Sequence, residues 1–236
     1  MKSLSIASVA VAAAALSAVA VPSIALAADS SVAFNAGVVT DYRYRGMSQS
    51  RLQPALQGGV DFTAGAFYLG AWASTIKWIK DSNGDANLEI DIYGGYKGEI
   101  SKGVTYDIGA LAYQYPSNKL PTSANTFELY GAITTGPVTA KYSRSTTNLF
   151  GAPNSKGSGY LDLSATIDVG GFAVTPHIGR QIIKNGSSYT DYSLAVSKEV
   201  SGITWSLTLV DTNTEVPLGG KDTAKSGIVL GAKMAF

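Results

Sequence analysis

Among the side chains that could do chemistry, one histidine, His177, is present in 236 residues, and there is no cysteine. The absent thiol excludes disulfides, thiolate metal sites and thiol nucleophiles, and one imidazole cannot build a multi-histidine metal centre. Acting as a general base, His177 would need a hydroxyl nucleophile beside it, yet Thr175-Pro-His177-Ile-Gly179 holds no serine two residues away. It reads as a hydrogen-bonding group, and the chain as a non-enzyme. Glu89 and Asp91 lie two apart, so on a strand both carboxylates share a face, as acid-base chemistry or a polar wall would require. Asp81-Ser-Asn83-Gly-Asp85 imitates a calcium loop, but Ala86 stands where glycine should be and Ile92 where the closing glutamate should be, so it reads as a turn. No glycine-rich phosphate loop occurs. Neither cofactor nor metal is therefore expected. The 18 Lys and Arg against 17 Asp and Glu give no basic excess that would attract nucleic acid.

The elements that would carry these groups are strands. Residues 1–27 form a leader with Lys2, an apolar run and Ala25-Leu-Ala27 before a polar stretch, the pattern of a cleaved secretory signal peptide. Losing Lys2 leaves basic and acidic side chains equal in number on the mature chain, residues 28–236. Beyond the leader no apolar run approaches the roughly 18 residues of a spanning helix. What repeats instead is a period of two. Val32, Phe34, Ala36, Val38, Thr40, Tyr42 and Tyr44 separate from Asn35, Gly37, Asp41, Arg43 and Arg45, and Leu88, Ile90 and Ile92 from Glu89, Asp91 and Tyr93. The same alternation recurs to the terminal Ile228, Leu230, Ala232, Met234 and Phe236, giving about twelve strands. The register of the third, Phe67-Leu69-Ala71-Ala73, is the hardest to fix, because Tyr68 and Trp72 occupy its other face.

Connections alternate in length. Short turns are expected at 63–66, 98–103, 135–137, 170–171 and 198–202, and mostly longer Ser-, Asn- and Gly-rich loops at 46–53, 80–87, 114–125, 146–159, 183–188 and 212–225. Short turns at one end and long loops at the other suit an all-β, transmembrane, antiparallel up-and-down barrel with both termini periplasmic. In hydrocarbon a strand leaves no backbone group unpaired only if the sheet closes, with apolar side chains toward lipid and polar ones toward the lumen. Rings near the strand ends would then form interfacial bands: Phe62, Tyr96, Tyr106 and Trp205 on the periplasmic side, Tyr42 and Tyr44 on the outer side. A soluble barrel would turn such rings inward. The paired glycines Gly58-Gly59 and Gly94-Gly95 are expected to make room for large neighbours or to curve the wall.

Asn35-Ala-Gly37-Val-Val-Thr-Asp41-Tyr-Arg43-Tyr-Arg45-Gly46-Met-Ser48-Gln49-Ser50 and Pro54-Ala-Leu-Gln57-Gly58-Gly59-Val-Asp61, with Tyr68-Leu-Gly70-Ala-Trp72-Ala-Ser74 and Glu89-Ile-Asp91-Ile-Tyr93-Gly94-Gly95-Tyr96, resemble the TorF-type porin family. Trp72-Ala-Ser74-Thr75 departs from the Ser-Asn of that pattern at one lumen position. The resemblance implies an outer-membrane barrel of porin type, in a family largely without an assigned substrate. The last strand, ending in Met234 and Phe236, resembles the targeting strand read by the barrel-assembly machinery.

On this register the pore-lining candidates are Asp41, Arg43, Arg45, Asp61, Glu89, Asp91, Lys97, Asp107, Glu128, Lys141, Asp162, His177 and Asp191. Acids outnumber bases, so the expectation is a diffusion channel for ions or small hydrophilic solutes with a weak cation preference. The alternative is a non-conducting barrel, plugged by an ion-pair lattice among residues such as Asp41, Arg43 and Arg45, whose long loops serve adhesion or assembly. The expected surroundings are outer-membrane lipid and no nucleic acid.

Overall fold

The computed structural model describes residues 30–236; the expected leader at 1–27 lies outside them. Twelve antiparallel strands close into a barrel: β1 (Ser30–Val39), β2 (Ala55–Ala64), β3 (Phe67–Thr75), β4 (Leu88–Ser101), β5 (Val104–Gln114), β6 (Thr126–Thr135), β7 (Val138–Ser145), β8 (Gly159–Ala165, resumed at Ile167–Val169), β9 (Phe172–Ile182), β10 (Tyr189–Val200), β11 (Ile203–Thr212) and β12 (Gly227–Ala235). Every neighbour in sequence is a neighbour in the wall, and β1 pairs with β12 to close it, with Ala36 opposite Met234. Closure removes the free edge that a sheet of this length would otherwise present. Among the described residues no helix is long and apolar enough to cross a membrane.

The alternation in the sequence becomes the two surfaces of the wall. Leu69, Ile108, Leu129, Leu161, Leu207 and Leu230 point outward and are exposed, whereas Asp91, Glu128, Thr175, Asp191 and Thr208 point inward and are buried. That inverts a soluble protein and fits a barrel solvated by lipid. In β3, Phe67 and Leu69 point out while Tyr68 and Trp72 point in. At the short-turn end an outward band gathers Phe62, Phe67, Phe172, Phe236 and Trp205, the last 54% exposed. Tyr96 packs edge-on against Phe67 at 4.9 Å and lies 6.1 Å from Tyr106. A water-soluble thiol reagent should modify Asp107→Cys, which faces the lumen, and not Ile108→Cys, which faces lipid; the reverse pattern would refute the register of β5.

Five two-residue turns lie at one end and six longer loops at the other: L1 (40–54), L2 (76–87), L3 (115–125), L4 (146–158), L5 (183–188) and L6 (213–226). The break in β8 at Thr166 has a local cause. Pro176 of β9, which the register sets opposite the preceding Ala165, has no N–H to donate, so pairing lapses between Ser164–His177 and Ile167–Val174. Glycines inside the wall give way to tyrosines, as at Gly70, where the Tyr93 ring leaves no room for a Cβ, and at Gly95, where Tyr68 does the same.

The buried apolar cluster sits at the long-loop end and not in mid-barrel. It gathers Tyr42, Ala55, Ile76, Ile79, Ala86, Leu111, Tyr113, Tyr115 and Ala124, with Trp72, Trp78, Leu120 and Phe150 against it. L2 contributes a single helical turn, α1 (Trp78–Asp81). Its acidic residues are spent on ion pairs, Asp81 with Arg51 and Asp85 with Lys119, the latter at 2.8 Å. The Asp85 carboxyl is held below its ordinary range by that lysine.

One expectation fails here. β1 stops at Val39, so Tyr42 and Tyr44 do not continue an outward row and are not interfacial aromatics. Both turn inward with L1, where Tyr42 is 4% exposed. Asp41 explains the break. Its carboxylate accepts from Arg43 Nε at 2.5 Å, from Ser48 Oγ at 2.5 Å and from Ser50 Oγ at 3.1 Å, which bends the chain back on itself where a straight strand would leave all three donors apart.

Candidate functional site

L1 is built as a small hairpin, Arg43–Tyr44 paired with Met47–Ser48. Its two turn residues, Arg45 and Gly46, both have positive φ, at 47° and 81°, as a primed turn demands. Glycine adopts that conformation freely, but for arginine it costs on the order of 1 kcal/mol, so its surroundings must hold it there. They do so from across the barrel. The Arg45 guanidinium donates from Nη2 to Glu128 Oε2 on β6 and from Nη1 to Gln181 Oε1 on β9, each at 2.7 Å. It also stacks over Tyr160 at 4.2 Å and Tyr44 at 4.8 Å. Arg45 is 7% exposed.

L1 folds into the lumen with the backbone of its turn against β10 and β11, and the Arg45 side chain extends from there to β6 and β9. Glu128 is two residues inside the start of β6, roughly 7 Å along that strand from its long-loop end. Along its length L1 is fixed at several points. Tyr42 Oη donates to Glu89 Oε1 at 2.9 Å, and its ring meets Trp72 edge-on at 5.4 Å. Tyr44 and Tyr113 share a hydroxyl hydrogen bond at 2.5 Å, and both rings pack against Phe150. Arg43 Nη1 donates to the carbonyls of Gly46 and Lys225, each at 2.9 Å, and Gln49 O accepts from the Lys77 amide at 2.8 Å, which ties L1 to L6 and L2.

Below L1, tyrosines and acids alternate around the wall. On one side Tyr160 Oη donates to Asp191 and lies 3.2 Å from His177 Nε2, which is 3.0 Å from Asp162 Oδ2. On the other, Tyr68 Oη donates to Asp107 at 2.6 Å, Lys97 stands 3.8 Å from the same carboxylate, and Lys141 lies over the Tyr130 ring at 4.1 Å. Tyr93 donates to Asp61. Asp91 is fully buried and neither carboxylate oxygen has a hydrogen-bond partner among the described residues; Glu89 Oε2 shares that state.

Asp61, Glu89, Asp91, Lys97, Asp107, Glu128, Lys141, Asp162, His177 and Asp191 thus all stand on inward positions of the wall. Asp41, Arg43 and Arg45 do not. They belong to L1, because the chain leaves the wall at Thr40, so they act from inside the lumen and not from its lining. Sequence reading also missed Gln181, Tyr160 and Tyr113 as partners of the loop. Their inward parity was legible, but nothing in the sequence links them to Arg45. The one visible signal was Gly46, first residue of the expected loop 46–53, whose freedom at positive φ allows a turn that starts at Arg45.

Comparison with solved structures returns porin barrels. The KdgM porin superposes with a TM-score of 0.58 at 8% identity, covering 88% of this chain and 99% of that one. The KdgM porin in complex with disordered oligogalacturonate gives 0.57 at 8% identity over the same shares, and the NanC porin 0.54 at 11% identity, covering 87% and 99%. These show a shared porin-type barrel fold. No curated protein matches the chain in sequence. A family model described as "Bacterial protein of unknown function (Gcw_chp)" matches residues 25–236, and the chain belongs to that family.

Proposed function

We propose that this protein is an outer-membrane channel for passive diffusion of ions or small hydrophilic solutes, in which L1 sets the conductance. The observation that carries the reading is a closed barrel, apolar outside and polar inside, with L1 folded into its lumen and held at the tip by Arg45. The porin-type fold and the resemblance of residues 35–96 to TorF-type porins support it, as does the outward aromatic band. Export through a cleaved leader, periplasmic termini and assembly through the strand ending at Met234 and Phe236 belong to the same reading. His177, held among Asp162, Asp191 and Tyr160, is a structural hydrogen-bonding group in a non-enzyme, and solutes and lipid are the partners.

Seven carboxylates stand on inward wall positions, of which Asp61, Asp107 and Asp162 are partly open to the lumen while Glu89, Asp91, Glu128 and Asp191 are buried, and they face Lys97, Lys141, Lys233 and His177, with Arg45 the loop's contribution. The cation preference we propose rests on the inward acids as a set, whose field reaches the path from behind the loop as well as from its lining. The test is single-channel recording of the refolded chain in a planar bilayer under a salt gradient. Steady conductance with a cation-directed reversal potential is expected, and Asp107→Asn with Asp162→Asn should reduce the shift. The double anchorage of Arg45 favours a second reading, a closed barrel serving as a loop platform. A heat-modifiable barrel that carries no current would establish that reading instead.

A further inference from the structure

The outward rim of β7, β8 and β9 carries an assembly of cations that the lumen does not use. Arg144 and Arg180 occupy the outward row, which otherwise holds Tyr142, Leu161, Ile178 and Ile182. Arg144 lies directly across from Gly159, and Arg180 from Leu161. Above them Lys156 of L4 and Lys184 of L5 complete, with Arg144, an open groove of about 590 Å³, further lined by Thr146, Asn154 and Asn185. From 143 to 190 the only acids are Asp162, which faces the lumen beside His177, and Asp168, which lies at the short-turn end. Among the described residues Arg144, Lys156 and Lys184 make no ion pair.

The loops that present these cations are fixed. Ser155 and Ser158, both buried, organise L4: Ser155 Oγ accepts from the Leu149 amide at 2.7 Å and donates to Ala152 O at 2.6 Å, and Ser158 Oγ donates to Ser155 O at 2.6 Å. Ser158 Oγ also accepts from the Lys184 amide at 3.0 Å, and Asn185 Nδ2 donates to Asn154 O at 2.9 Å, which joins L5 to L4. Like charges gathered on rigid backbone repel one another unless an anion lies between them. Just below, Tyr142, Leu161, Leu163 and Ile178 form a continuous apolar strip on the lipid-facing surface. Cations at the rim above such a strip match an amphiphile with anionic head and acyl tails, because guanidinium and ammonium groups bind phosphate while the strip takes the chains.

We propose that this rim binds the phosphate groups of a phosphorylated glycolipid in the outer leaflet, of the lipid A type, with Arg144, Lys156 and Lys184 as its ligands and Arg180 alongside. The inference rests on the outer-membrane reading with the long loops outward. The full-length refolded barrel in detergent with EDTA should bind diphosphoryl lipid A at least about 10-fold more tightly than its dephosphorylated counterpart, measured by native mass spectrometry. Combined Arg144→Gln, Lys156→Gln and Lys184→Gln should abolish that preference, and Lys156→Glu alone, on an exposed loop, should weaken it. Lys221→Gln with Lys225→Gln, on L6, should not. Equal binding of the two lipids, retention of the preference in the triple variant, an equal loss in the L6 variant, or complete displacement by equimolar inorganic pyrophosphate would each overturn the proposal. Heat-modifiability and conductance of the same samples read the channel separately, so a barrel that conducts without discriminating the lipids refutes this site and leaves the channel standing.

Discussion

Replacing Arg45 by alanine should raise single-channel conductance by roughly twofold or more and move the reversal potential further toward cations, while the barrel keeps its heat-modifiable migration. The guanidinium supplies two charge-assisted hydrogen bonds at 2.7 Å and two ring contacts, which tie the tip of L1 to β6, β8 and β9. Its removal leaves Glu128, a buried carboxylate, with Tyr113 Oη at 3.3 Å as its remaining hydrogen-bond donor. Breaking one partner of a buried pair costs about 3–5 kcal/mol, and solvent in a lumen brings the figure toward the lower end. The anchors of L1 at Tyr42, Tyr44 and Arg43 remain, so it is the tip alone that should leave β6 and β9. The β-ladders do not pass through L1, so closure of the barrel should survive. The loss of one positive charge from an acidic lumen explains the sign of the selectivity change. Arg45→Lys should fall between wild type and alanine, since an ammonium keeps the charge but cannot bridge Glu128 and Gln181 with a planar fork. Unchanged current in Arg45→Ala, with the barrel intact, would show that L1 does not limit the path.

The parts of this molecule that lipid dictates were legible in the sequence, and the part that the lumen dictates was not. Membrane crossing forces apolar side chains outward at every second position, so Leu129, Leu161, Leu207 and Leu230 could be assigned a face without knowledge of their neighbours. The same constraint separates short turns from long loops and yields the strand count. Inside the barrel no comparable rule operates, because a polar side chain is satisfied by water, by the wall or by a loop. Val38, Thr40, Tyr42 and Tyr44 therefore extend a pattern whose physical cause ends at Val39. What redirects the chain is the set of bonds to Asp41 from Arg43, Ser48 and Ser50, and those require the fold-back they stabilise. Arg45 could be seen as a lumen charge, but its partners lie 83 and 136 residues away on strands brought near only by closure.

Gly46→Ala should release the same loop from its other side. Gly46 has φ of 81°, where alanine costs roughly 1–2 kcal/mol, and an added Cβ would lie against Thr212 Cγ2 and 2.7 Å from Asp191 Cβ. Overpacking of that kind adds typically 1–3 kcal/mol when neighbours cannot retreat. Here they cannot, since the single Thr212 Oγ1 proton is shared between the L6 carbonyls of Thr214 and Ala224, and Asp191 accepts from Tyr160. The combined cost matches or exceeds the grip of Arg45, so conductance should rise as in Arg45→Ala with heat-modifiability unchanged. Thr212→Ser removes the nearer obstacle and keeps the hydroxyl, so Gly46→Ala with Thr212→Ser should recover part of the wild-type conductance, whereas Thr212→Ser alone should change little. Recovery in the pair identifies contact with β11 as the cause. A raised conductance that Thr212→Ser does not relieve would place the cost in the backbone of the turn alone, and wild-type current in Gly46→Ala would refute the fit of L1 against β10 and β11.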